Sequence, residues 1–276
     1  MPSYPAQGEQ LHYDERGTGD PVVVIGGGPA RHPDYLGDLG GLSTHRTLLL
    51  PHLRGVGSSP FPDDPSLASW WRQAEDVEAL RAHLGLERVV VVGHSAGTRI
   101  ALAFAARFAP SIERLILITP PAADLIGAPD DVQDIRSRRD EPDFTTALAR
   151  AQQGPPASAD DDRFTIWQQS IAPISYAAWG PAQQEHAAIG RWSTVAVRAY
   201  GTVRPPATFR TDLAEVAAPV RVLAGAEDGV TGVTGPLALA ALFADGRADV
   251  IAGAGHYPWI DRREDFGAVM EAALLH

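Results

Sequence analysis

The 276-residue chain contains no cysteine, which removes disulfide frameworks and thiolate chemistry from consideration. No stretch approaches the roughly 18 consecutive apolar residues that a membrane span requires. Positive charge is scarce: 23 Lys and Arg stand against 34 Asp and Glu, for a formal net charge of −11. That balance has the wrong sign for binding phosphate backbones or anionic lipid surfaces, so neither nucleic acid nor a membrane is an expected partner. No two histidines stand at i, i+4 spacing, and with cysteine missing no metal site is expected. The first ten residues, Met-Pro-Ser-Tyr-Pro-Ala-Gln-Gly-Glu-Gln, show no basic leader ahead of an apolar core, and a cytoplasmic location is the expectation.

What is present is globular: 45% hydrophobic and 21% charged residues in a chain long enough to bury a sizeable core without staples. Short apolar runs rich in β-branched residues lie at Val22–Ile25, Thr47–Leu50, Val89–Val92, Leu115–Ile118, Val220–Leu223 and Asp249–Ile251. They lack alternation, which marks strands covered on both faces. Helical patterns fall between them: Trp71–Leu84, with Val77, Leu80 and Leu84 on one face and Gly85 as terminator, and Ala96–Phe108 before Pro110. This alternation predicts an α/β fold with a mostly parallel sheet and helices on both faces. The rhythm breaks between about Pro120 and Pro206, where β-branched runs vanish, a polar stretch spans Gly154 to Asp162, and Trp167, Trp179 and Trp192 occur. A helical insertion over 121–206 is expected, dividing the α/β core into 1–120 and 207–276.

The sharpest chemical signal is Gly93-His94-Ser95-Ala96-Gly97, directly after one strand and directly before a helix. A serine on so tight a turn is pushed into the open, above a helix N-terminus whose free N–H groups favour a developing anion. Its hydroxyl needs a base. His256, in Gly253-Ala254-Gly255-His256-Tyr257-Pro258-Trp259 after the last strand, is the candidate. The imidazole in turn needs a carboxylate to fix its tautomer, and Asp228, in Gly225-Ala226-Glu227-Asp228 after the strand Val220–Leu223, leaves the same carboxyl edge. Glu227 is the competing acid. Asp249 and Asp261 read as surface or helix-start charges. His94 faces away from the nucleophile's direction and reads as a packing or hydrogen-bonding residue, while His12, His32, His45, His52, His83, His186 and His276 read as solvated or satisfied. Gly26-Gly27-Gly28 after Val22–Ile25 fits an anion site, but also a plain tight turn or a phosphate cradle.

The order Ser95, Asp228, His256, the elbow and the turn Arg54-Gly55-Val56-Gly57-Ser58 together resemble the α/β-hydrolase superfamily over essentially the whole chain. His52 stands where an aspartate is common. The proline iminopeptidase group within it carries His-Gly-Gly-Pro-Gly where this chain has Gly26-Gly27-Gly28-Pro29-Ala30. The resemblance implies an eight-stranded sheet, a helical cap over 121–206, and an oxyanion hole from the N–H groups of Gly28 and Ala96, with Gly27 as the other register. A cap must present side chains to the cavity beneath it, which makes Trp167, Trp179, Trp192 and Tyr257 the candidate substrate-binding residues. The expected activity is cofactor-independent hydrolysis of a small, largely apolar ester, thioester or amide. A lyase, acyl transferase or cyclase on the same scaffold, an aminopeptidase using Glu141, Asp143 or Glu185 for a substrate amine, and a ligand receptor are the alternatives.

Overall fold

The computed structural model describes residues 1–157 and 159–275; Ser158, in the polar stretch of the insertion, and His276 lie outside the described residues. Eight strands form one sheet: β1 (Ser3–Ala6), β2 (Glu9–Gly17), β3 (Asp20–Ile25), β4 (Arg46–Pro51), β5 (Val89–His94), β6 (Ile112–Ile118), β7 (Val220–Gly225) and β8 (Gly246–Ile251). Their spatial order is β1-β2-β4-β3-β5-β6-β7-β8. β1 and β2 pair antiparallel, as do β2 and β4, and every later pairing is parallel.

The apolar runs of β3 to β7 form the central strands because they have no polar face to show, whereas Asp249–Ile251, expected to be covered on both faces, lies in β8 at the sheet edge, where one flank has no neighbouring strand and Val250 is exposed. Alternate residues divide between two cores. Val23, Ile25, Val89, Val91, Leu115 and Leu117 face helices α1 (Ala74–His83) and α2 (Gly97–Arg107) through Val77, Leu80, Ile100 and Phe104. Val22, Val24, Val90, Val92, Ile116 and Ile118 face the opposite layer, where Phe266, Met270 and Leu274 of the C-terminal helix pack. The two amino-terminal strands were not among the expected ones. In β2 the buried Leu11 and Tyr13 alternate with half-buried His12 and Asp14, and charged residues follow on both faces, so a search for uniformly apolar runs passes over it.

Between β6 and β7 the chain runs through α3 (Ala123–Ile126), α4 (Val132–Ser137), α5 (Pro142–Gln153), α6 (Asp161–Ser170), α7 (Pro181–Ala187) and α8 (Thr194–Tyr200), followed by α9 (Phe209–Ala214). Phe144, Ala147 and Ile174 give this insertion a small core of its own. It is stitched to the loop after β3: the His32 N–H donates to the Arg191 carbonyl and the Ser193 N–H to the Ala30 carbonyl. The remaining helices are α10 (Thr234–Ala240), α11 (Pro258–Asp261) and α12 (Arg263–Leu275). Among the described residues no helix is long and apolar enough to cross a membrane.

Candidate active site

β5 ends at His94 and α2 begins at Gly97, so Ser95 and Ala96 alone make the turn. Ser95 sits at φ 52°, a left-handed backbone that costs a non-glycine residue about 1–3 kcal/mol and persists only when its surroundings enforce it. The Ser95 N–H donates to the Ile118 carbonyl at 2.9 Å, and its own carbonyl accepts from the Thr98 N–H at 2.9 Å and the Thr98 hydroxyl at 2.6 Å. The flanking glycines are required by close approach. A Cβ at Gly93 would lie 2.7 Å from Thr98 Cα, and one at Gly97 only 2.3 Å from the Ile25 carbonyl oxygen.

Three loops meet at the carboxyl end of the sheet. His256 Nε2 lies 2.8 Å from Ser95 Oγ, and His256 Nδ1 lies 2.9 Å from Asp228 Oδ2. Asp228 is fully buried and also accepts from the Val230 N–H (2.8 Å), the Thr231 N–H (3.1 Å) and the Thr231 hydroxyl (2.5 Å). Burial alone would push its carboxyl up; the attraction and hydrogen bond of His256, with the Thr231 and Val230 bonds, outweigh it and hold the group below the usual carboxylate range. Glu227 is not part of this set. It uses its backbone N–H to hold the His256 loop through the Ala254 carbonyl at 2.8 Å. The His256 N–H donates to the Ser175 carbonyl, and its carbonyl accepts from the Thr119 hydroxyl and from His94 Nε2.

The last contact fixes the role of His94. Nε2 faces a carbonyl and must carry the proton, so Nδ1 accepts from the Tyr35 hydroxyl 2.7 Å away. Tyr35 in turn accepts the Gly27 N–H at 2.6 Å. Burial, with the neighbouring His256, holds His94 well below its ordinary value and therefore neutral. The relay corrects one register of the expected oxyanion hole: the Gly27 N–H is already committed to Tyr35. The N–H groups of Gly28 and Ala96 make no hydrogen bond among the described residues. Gly28 is in the left-handed region (φ 97°), and its carbonyl is turned away to accept from the Trp192 indole N–H.

A cavity of about 180 Å³ is walled mostly by the insertion, with Arg31, Val230 and Tyr257 from the α/β core. Trp192 and Tyr257 are in its wall, as are Arg31, Arg136, Tyr176 and Ile174. Ser95, 9% exposed, and His256 are not, but Tyr257 follows His256 directly and Val230, also in the wall, lies two residues beyond Asp228. Trp167 and Trp179 lie outside it. Trp179 packs on Tyr176 with ring centroids 5.4 Å apart, and Trp167 on Phe164 at 5.7 Å. Trp167 lies on α6 and Trp179 in the segment before α7, and each is taken up by an aromatic neighbour of the insertion itself. Glu141, Asp143 and Glu185 are exposed and line none of this cavity.

Four contributors escaped the sequence reading. Arg31 lies three residues after Gly28, and that position was its available signal. Arg136 and Tyr35 carry no motif. Asp261, expected as a surface or helix-start charge, is a half-buried brace: its carboxylate accepts from the Gly255 N–H (2.8 Å), the Ala177 N–H (3.0 Å) and the Gln183 side-chain amide (3.1 Å). It ties the His256 loop to the insertion. Burial raises its carboxyl against the pull of these bonds.

A family model described as alpha/beta hydrolase fold matches residues 20–262. A proline iminopeptidase of Lactiplantibacillus plantarum is 28% identical over 206 residues, covering 64% of this chain and 71% of that protein. A soluble epoxide hydrolase of Corynebacterium sp. (strain C12) is 32% identical over 115 residues, 40% of this chain. The match spans only 38% of the length of that epoxide hydrolase. Among solved structures, a thermophilic esterase from Thermogutta terrifontis superposes with a TM-score of 0.70 at 22% identity, covering 98% of this chain and 97% of that one. At that identity the likeness speaks for the fold.

Proposed function

The chain belongs to the α/β-hydrolase fold family, and on that premise we propose that it is a cofactor-independent serine hydrolase cleaving a small ester, thioester or amide through an acyl-enzyme on Ser95. The observation that carries this reading is the continuous hydrogen-bonded line Ser95 Oγ, His256, Asp228, with separations of 2.8 and 2.9 Å. His256 Nε2 takes the hydroxyl proton as Ser95 Oγ attacks the acyl carbonyl, and Asp228 holds Nδ1 protonated and stabilises the imidazolium. The Gly28 and Ala96 N–H groups donate to the carbonyl oxygen as negative charge gathers on it; two backbone donors fixed beforehand cost no reorganisation when the barrier is crossed. His256 then protonates the leaving group and later activates water against the acyl-enzyme. The six helices from α3 to α8 act as a cap over the cavity.

The exposed positions of Glu141, Asp143 and Glu185 favour this over an aminopeptidase, because no carboxylate stands in the cavity wall to receive a substrate amine. Ser95→Ala tests the reading. Turnover of an activated short-chain aryl ester is expected to fall by about 10⁴-fold or more, with an unchanged circular dichroism spectrum. Retained turnover in a folded variant overturns it.

A further inference from the structure

The cavity wall has an unusual charge balance. The chain carries 34 acidic side chains, yet none lines this cavity, whereas two of its arginines, Arg31 and Arg136, do. Neither makes an ion pair among the described residues.

Arg31 is 3% exposed. Its guanidinium donates to the carbonyls of His186, Ala187 and Ile189, at and just beyond the end of α7, and to the Tyr257 hydroxyl at 3.0 Å. The ring faces of Tyr35 and Trp192 lie 4.4 and 4.5 Å from its central carbon. Carbonyl dipoles and ring quadrupoles thus hold it in place, but no formal negative charge answers it. Arg136 donates through Nε to the Gly229 carbonyl at 2.7 Å. Its two terminal nitrogens make no hydrogen bond among the described residues, and Asp130 and Asp228 attract it only from beyond ion-pair distance. The Arg136 terminal nitrogens are not among the buried atoms without partners, so they stay open to the cavity side and free for an acceptor that would replace the hydration half-burial has removed.

We infer that the cavity is a subsite for a carboxylate carried by the substrate, gripped by the terminal nitrogens of Arg136, with Arg31 as the fixed positive background. This rests on the serine hydrolase reading for what happens at Ser95, though the anion site itself does not. A planar carboxylate matches the guanidinium fork with two parallel N–H···O bonds. Arg136 is held by Gly229, next to Asp228, and Arg31 by Tyr257, next to His256, so both charges are fixed relative to the triad. The apolar wall, with Ile171, Ile174 and Val230, suits the methylene chain between the carboxylate and the acyl carbonyl.

The test has a binding arm and a turnover arm. In the first, Ser95→Ala is titrated calorimetrically with the monomethyl esters of succinic to suberic acid and with their ω-carboxamide analogues, which match in size and differ in charge. At the best chain length the carboxylate is expected to bind about 10-fold or more tightly, as a charge-assisted fork warrants. The preference is expected to vanish in Ser95→Ala/Arg136→Gln and to survive in part in Ser95→Ala/Arg136→Lys. In the second arm, wild-type kcat/KM is compared for the 4-nitrophenyl esters of the same two series, and for carboxyphenyl against carbamoylphenyl acetates, which places the anion on the acyl or the leaving-group side. Equal binding of carboxylate and carboxamide at every length overturns the inference, as does a preference that persists undiminished in Arg136→Gln. Binding preference without turnover of any aryl ester would leave the anion site standing and remove the hydrolase reading instead.

Discussion

The Tyr35 hydroxyl donates to His94 Nδ1 across 2.7 Å, and through that bond the loop after β3 is tied to the loop that carries His256. Tyr35 accepts the Gly27 N–H on one side; His94 donates to the His256 carbonyl on the other. The glycine loop and the His256 loop are therefore set relative to each other by two buried side chains.

Tyr35→Phe breaks this relay at its middle. It leaves the Gly27 N–H and His94 Nδ1 buried without partners, each worth about 1–3 kcal/mol. Urea denaturation is expected to show a combined loss of about 2–6 kcal/mol. Because the Gly27 loop is released, kcat on an aryl ester is expected to fall more than KM changes.

Gly97→Ala tests the elbow's demand for close approach. The added methyl would meet the Ile25 and Gly26 carbonyl oxygens at 2.3 and 2.5 Å, so β3 and α2 must part. A loss of about 1–3 kcal/mol in thermal or denaturant stability is expected from such overpacking. Gly85→Ala, where nothing lies within 4 Å, separates crowding from the strain of a left-handed backbone, which Gly85 has (φ 67°) and Gly97 lacks.

His186 donates from Nε2 to the Tyr35 carbonyl and accepts at Nδ1 from the Tyr176 hydroxyl, 2.8 and 2.7 Å away. Burial, with the Arg31 charge, lowers its pKa to about 4 from an ordinary 6.5. Between those values the unfolded chain takes up a proton that the folded one refuses, so stability is present above pH 6.5 and is lost as pH falls towards 4. The loss attributable to His186 is on the order of 3 kcal/mol. Unfolding free energies at pH 7.5 and 4.5, compared between wild type and His186→Asn, are expected to show the smaller pH difference in the variant.

Asp261→Ala removes the acceptor shared by the Gly255 and Ala177 N–H groups. A destabilisation of about 1–3 kcal/mol is expected, with a larger effect on kcat than on KM because Gly255 precedes His256. Asp261→Asn, which keeps one acceptor oxygen, is expected to recover part of both.

The legibility of this chain followed physical rules. Val89–Val92 and its neighbours betrayed a doubly covered sheet because nothing in them is polar, and Gly93 and Gly97 announced the elbow because any larger side chain there collides with backbone. Asp228 and His256 followed from position after strands that end at one edge. β2 was hidden by charged residues on both of its faces, and the Gly27 register was undecidable until Tyr35, eight residues on, came back over it. Arg31 and Arg136 were unreadable for a different reason. An arginine's meaning lies in what faces it, and their partners come from α7, Tyr257 and Gly229, far off in the chain.

The most direct test of the nucleophile is to trap what it forms. Rapid acid quench after mixing with a 4-nitrophenyl ester, followed by proteolysis and mass spectrometry, reads the site of acylation. One acyl group is expected on the peptide containing Ser95, formed in step with a burst of nitrophenolate and absent in Ser95→Ala. An acyl group on any other side chain, or steady turnover with Ser95 replaced, would contradict Ser95 as the nucleophile.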